Sequence, residues 1–87
     1  MKIKKGFIVR KVGEENIVVP VGEASKSFHG MIKLNESGAF LWNFYTDEHT
    51  AEEGVAALLA EYDVEKEIAE RDVNAFVENL TKNGFAE

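Results

Sequence analysis

The sequence has no cysteine, one proline and two histidines among 87 residues. Without cysteine there is no disulfide staple, no thiolate metal site and no thiol nucleophile. No apolar run approaches the roughly 18–20 residues that span a bilayer. Met1–Lys5 is basic, but no stretch of signal-peptide length follows it. These absences predict a cytoplasmic chain with no membrane attachment. Basic charge is also scarce: 10 basic against 16 acidic side chains leave a net charge of -6. Apolar residues make up 45 %, too many for a disordered chain. The length allows one domain, residues 1–87, with 1–5 expected as a flexible basic lead-in.

The charge is sorted along the chain. Residues 1–12 carry five bases (Lys2, Lys4, Lys5, Arg10, Lys11) and no acid, whereas 47–87 carry twelve acids and three bases. The acidic half is expected to repel nucleic acid and anionic membranes. Its plainest reading is a solvated helical surface, and attraction to a basic partner segment is the alternative.

Composition shifts near Asn35, from β-branched residues to helix formers. Phe7–Val12, Ile17–Val21 and Phe28–Leu34 read as strands, the first two joined by a four-residue turn at 13–16. Gly22–Ser27 reads as a loop. Pro20 belongs at a strand end or on an unpaired side. Asn35 is a suitable N-cap for a helix reaching Tyr45. Thr50 and Glu53 have capping-box spacing for a second helix. Ala69, Val73, Phe76, Val77 and Leu80 form the apolar stripe of a third, from about Glu65 to Asn83. Gly84 is placed to end it in the left-handed conformation. Strands followed by helices predict an α+β domain, a three-stranded antiparallel meander with three helices on one face. The third strand then lies at an edge.

The inventory argues against catalysis. No zinc-binding spacing surrounds His29 or His49, Ser37 lies in no nucleophile elbow, and the glycines form no phosphate loop. His49 near Glu52 and Glu53 reads as a surface histidine, not a metal ligand. No cofactor is expected. Phe40, Leu41 and Phe44 read as core, and Trp42 as packing at the sheet border or in a partner interface.

The third strand carries the most specific functional signal. Natural edges are guarded by proline, charge or bulges. The first strand has Arg10 and Lys11, the second has Pro20, and the third has only Lys33. Such an edge can accept an extended peptide as an added strand. Covering of the edge by another segment, or pairing with a second copy, is the alternative.

Leu34-Asn35-Glu36-Ser37-Gly38-Ala39-Phe40-Leu41-Trp42 resembles the opening of the helical part of the PqqD family, named for coenzyme PQQ synthesis protein D. Ala57–Val64, the stretch Asp72–Leu80 and Gly84-Phe85 resemble the family's second helix and its ending. The resemblance covers about residues 6–86. It implies a winged helix-turn-helix-like fold and a recognition element for ribosomally made peptides. Such elements bind the leader of a precursor peptide against the third strand and third helix. They present it to a modifying enzyme, often a radical SAM protein, without catalysing anything themselves. Carried over, the edge is His29, Gly30, Met31, Ile32, Lys33 and Leu34, and the helix wall draws on Ile68, Arg71, Asp72, Ala75 and Asn79. Two other readings are a winged-helix DNA-binding regulator, which the acidic third helix disfavours, and an edge-to-edge structural homodimer.

Overall fold

The computed structural model describes residues 1–27 and 32–86. Its elements are β1 (Phe7–Val12), β2 (Glu15–Pro20), α1 (Ala24–Ser27), β3 (Ile32–Leu34), α2 (Glu36–Phe44), α3 (Ala51–Glu61) and α4 (Lys66–Lys82). The strands form an antiparallel sheet in the order β1-β2-β3. The expected α+β meander is therefore present, with β3 at one edge. Residues 28–31 of the expected third strand lie outside the described residues.

Two local differences have simple causes. The β1–β2 turn uses two residues, not four, because Gly13 takes φ +64°. A glycine there permits a primed turn whose twist matches the flanking strands. Glu15 and Asn16 are thereby free to pair with Val12 and Lys11. The expected loop at 22–27 contains a single helical turn, α1. Ser25 and Lys26 N–H donate to the Gly22 and Glu23 carbonyls at 3.1 Å each.

Side-chain direction follows from pairing. Directly opposed residues share a face, and alternate residues switch faces. The register Val9↔Val18↔Ile32 puts these three on one side, with Phe7 and Leu34. Val18, 1 % exposed, is in the core, and the other four are half-buried and pack against it. The helices close over this side with Leu41, Trp42, Tyr45, Leu58, Ala69, Val73 and Leu80. Trp42 is fully interior and meets the edge of Phe7 at 6.4 Å and of Phe85 at 5.9 Å. Of the aromatic run, Leu41 is buried, while Phe40 and Phe44 are half-buried.

Helix boundaries follow the capping chemistry. Asn35 Oδ1 accepts from Gly38 N–H at 2.7 Å and starts α2. At α3, Glu53 N–H donates to Thr50 Oγ1 at 3.1 Å and Thr50 N–H donates to Glu53 Oε1 at 2.8 Å. Gly84 (φ +82°) ends α4, and Phe85 N–H returns to the Leu80 carbonyl at 2.9 Å. The basic segment at 1–5, expected to be flexible, is held along its first four residues. Ile3 N–H donates to Tyr45 O, Lys4 N–H donates to Phe85 O, and Ile3 is 5 % exposed. The reason lies in Ile3, an apolar side chain that finds a place in the core beside Ala86.

A β-carbon on Gly54 would land on the Tyr45 hydroxyl and 2.9 Å from its Cζ. That hydroxyl is fixed by donation to Thr50 O at 2.8 Å. Gly54→Ala is expected to destabilise the fold by about 1–3 kcal/mol in urea denaturation, despite the better helix propensity of alanine. The Thr50 N–H holds the Glu53 carboxyl below its ordinary 4.5, with lesser help from His49. A carboxyl whose folded value is depressed stabilises the fold above its unfolded value, and that contribution disappears as pH falls through the folded one. The urea midpoint should therefore be steady down to about pH 5 and drop below it, with a shallower drop in Glu53→Gln.

Candidate functional site

The geometry of the sheet identifies which backbone groups face outward at β3. Val21 N–H donates to Gly6 O at 2.7 Å, so this opposed pair is a hydrogen-bonded one. Hydrogen-bonded pairs alternate along an antiparallel ladder. The next are Ile8↔Val19, Arg10↔Ile17 and Val12↔Glu15. On β2 the odd-numbered residues therefore bond to β1, and Asn16 and Val18 bond to Leu34 and Ile32. Lys33, between them, turns its N–H and C=O to the other side. That edge of β3 has no strand partner among the described residues.

Beside this edge lies a cleft. A cavity of about 380 Å³ is lined by Ile32, Lys33 and Leu34 on one side and by Phe76, Asn79, Leu80, Asn83 and Phe85 on the other. A second, of about 220 Å³, adjoins it through Phe76 and Asn79 and continues past Asp72 and Ala75 to Asn35, Ser37 and Gly38 at the start of α2. The wall is one side of α4. At 100° per residue, Asp72, Ala75, Phe76, Asn79 and Asn83 fall on a common side that flanks the core stripe of Ala69, Val73 and Leu80. The floor is apolar and the rim carries amides. Asn83 Nδ2 donates to Asn79 O and to Asn79 Oδ1, each at 2.8 Å. Lys33 Nζ pairs with Glu15 at 3.3 Å across the outer face of the sheet.

The sequence candidates divide accordingly. Ile32, Lys33, Leu34, Asp72, Ala75 and Asn79 line the cleft. His29, Gly30 and Met31 lie outside the described residues. Ile68 is on the cleft side of α4, one turn before Asp72, 38 % exposed, and lines neither cavity. Arg71 lines neither cavity and lies 3.8 Å from Asp72. Sequence reasoning missed Phe76 and Asn83 as wall residues. The spacing of Phe76 reads as core, although its helical position lies between the core stripe and the cleft. Asn83 follows Asn79 by four residues, the spacing that stacks them.

Other features lie elsewhere. A larger depression of about 520 Å³ runs between α3 and α4, past Val55, Leu59 and Glu70; it borders no strand edge. The displaced titrations gather at the α2–α3 corner: burial and Glu53 push Tyr45 up, and the Met1 ammonium pulls Glu48 down. His49 stacks on Phe44 at 3.9 Å, with Nδ1 3.5 Å from Glu53. Among the described residues no helix is long and apolar enough to cross a membrane.

An open sheet edge running beside a helix wall of mixed apolar and polar side chains defines a small α+β domain with a cleft along one edge of its sheet. The family model for coenzyme PQQ synthesis protein D matches residues 15–86, and the chain belongs to the PqqD family. No curated protein matches the sequence. Two solved structures are similar. One is lasso peptide synthetase B1 complexed with the leader peptide, with 26 % identity, TM-score 0.74, and coverage of 99 % of this chain and 95 % of that one. The other is TbiB1 in complex with the TbiA(beta) leader peptide, with 24 % identity, TM-score 0.73, and coverage of 100 % and 95 %.

The ladder geometry is open to a direct check. Lys33→Pro removes an N–H that bonds to nothing within the sheet, and should leave stability in urea almost unchanged. Leu34→Pro removes an N–H used by the β2–β3 ladder and should cost about 1–3 kcal/mol.

Proposed function

We propose that this chain is a leader-peptide binding module. It captures the leader of a ribosomally made precursor by strand addition at β3 and presents it to a peptide-modifying enzyme, of the radical SAM class or another. The observation that carries this reading is the outward-facing backbone of Lys33 beside the cleft walled by α4. An added strand would exchange hydrogen bonds with Lys33. Its residue opposite Lys33 would point to the outer face of the sheet. The residues on either side of that one, two apart in the leader, would face Ile32 and Leu34 and enter the cleft. The geometry thus favours a leader with apolar anchors at i and i+2, and its backbone hydrogen bonds supply affinity that does not depend on sequence. The lasso peptide synthetase match, a leader-peptide complex of the same fold, supports the reading.

The domain acts here as a non-enzymatic, cytoplasmic subunit. DNA binding is disfavoured by the exposed carboxylates of α4, where Glu67, Glu70, Asp72 and Glu78 outnumber Lys66, Arg71 and Lys82. A helix of that charge would be repelled by a phosphate backbone.

The test is an amide NMR titration with leader peptides from neighbouring short open reading frames. Shifts should cluster on 32–34 and on the α4 wall from Asp72 to Asn83. Lys33→Pro and Ala75→Glu should each weaken binding at least tenfold with circular dichroism unchanged, while Lys33→Gln should bind within about twofold of the parent. Parent-like binding by both disruptive variants would place the peptide elsewhere.

A further inference from the structure

The sheet has a second face, and it is not polar. Antiparallel sheets with one solvated side ordinarily alternate apolar inward and polar outward. Here the register places Ile8, Arg10 and Val12 of β1, Glu15, Ile17 and Val19 of β2, and Lys33 of β3 on the outer side. Val21 continues the same row, through its pairing with Gly6. Five of these eight residues are β-branched hydrocarbons, and none belongs to the core cluster. Ile8 is 43 % exposed, Val12 59 % and Val21 39 %; Ile17 and Val19 are half-buried. An apolar patch of this kind on a small domain marks an interaction surface.

Its charges say what fits. Arg10 stands opposite Ile17, with Ile8 and Val12 two residues to either side. It makes no ion pair among the described residues. Lys33 and Glu15 already satisfy each other at 3.3 Å. The surface therefore fits a partner that offers apolar side chains and a carboxylate for Arg10, and the leader residue opposite Lys33, which would lie on this same face, points to the enzyme that acts on the leader.

We infer that the outer face of the sheet docks the peptide-modifying enzyme, through an apolar patch on that enzyme carrying an Asp or Glu that pairs with Arg10. This rests on the leader-binding reading and adds the partner surface to it. A leader strand added at the β3 edge leaves the outer face uncovered, because edge and face are perpendicular. It also extends that face, since the leader residue opposite Lys33 points the same way. The enzyme then contacts domain and leader together, and the added strand enlarges its footprint.

The probe is the purified peptide-modifying enzyme encoded beside this chain, titrated into the fluorescently labelled full chain with and without saturating leader peptide. Arg10→Glu should weaken enzyme binding at least tenfold and Ile8→Thr several-fold. Both should keep the parent circular dichroism and leader affinity within twofold. The proposal is overturned if either variant, folded and leader-competent, binds the enzyme like the parent. It is also overturned if the leader-loaded parent does not bind the enzyme. Self-association of the parent that Arg10→Glu abolishes would assign the face to a second copy instead. Failure of the parent to bind any leader would count against the leader reading alone, because the leader-free titration still reports on the outer face.

Discussion

Three aromatic rings from distant parts of the chain meet at one point. Phe7 enters from β1, Trp42 from α2 and Phe85 from the turn after α4, with edge-to-face contacts at 6.4, 5.0 and 5.9 Å. This cluster fixes the distance between the sheet and the end of α4. It is therefore what holds the cleft open to a defined width. Phe85 belongs both to the cluster and to the cleft lining. Edge-to-face aromatic pairs add about 0.5–1.5 kcal/mol beyond their burial, but their geometric role matters more here. A cleft between a sheet edge and a helix has no covalent brace in a chain without cysteine, so ring packing must supply the brace.

The site is built from two kinds of surface with different origins. The β3 edge is a backbone feature: it depends on register and on there being no fourth strand among the described residues, and its side chains matter little. The α4 wall is a side-chain feature, set by which residues flank the core stripe. On the proposed function the first would give affinity for any extended chain, and the second would restrict which side chains can follow it into the cleft. The outer face of the sheet adds a third surface, apolar and carrying Arg10, which shares no residue with the α4 wall.

Most of the architecture could be read from the residues because local signals agreed with one another. Asn35, the Thr50–Glu53 box and Gly84 each mark a boundary through a hydrogen bond within five residues, and such bonds depend on little beyond the local chain. The stripe on α4 was visible for the same reason. What escaped reading was decided by tertiary packing. The burial of Trp42 depends on Phe7 and Phe85, more than thirty residues away on either side. The docking of Ile3 depends on Tyr45 and Ala86. The split of the α4 candidates, with Asp72, Ala75 and Asn79 lining the cleft and Ile68 and Arg71 lining neither cavity, depends on where the sheet edge lies. Periodicity defines the sides of a helix but not which neighbour each side meets. The exposed outer face of the sheet was also missed, because alternating apolar runs look alike whether one side or both carry hydrocarbons.

The cleft wall and the hydrophobic core share one helix. Ala69 and Val73 are wholly enclosed and Leu80 nearly so, while Phe76 sits between them and the cleft. Moving the wall would mean lifting α4 off the core, which approaches global unfolding in cost. The α4 wall is therefore preorganised, and on the proposed function the ordering entropy of binding would fall largely on the incoming peptide. A leader already inclined to extended conformations, rich in β-branched residues or proline at positions that skip the Lys33 hydrogen bonds, would bind more tightly than a flexible one with the same anchors. On the proposed function the domain would act as a rigid ruler, selecting peptides by backbone stiffness as well as by side chain.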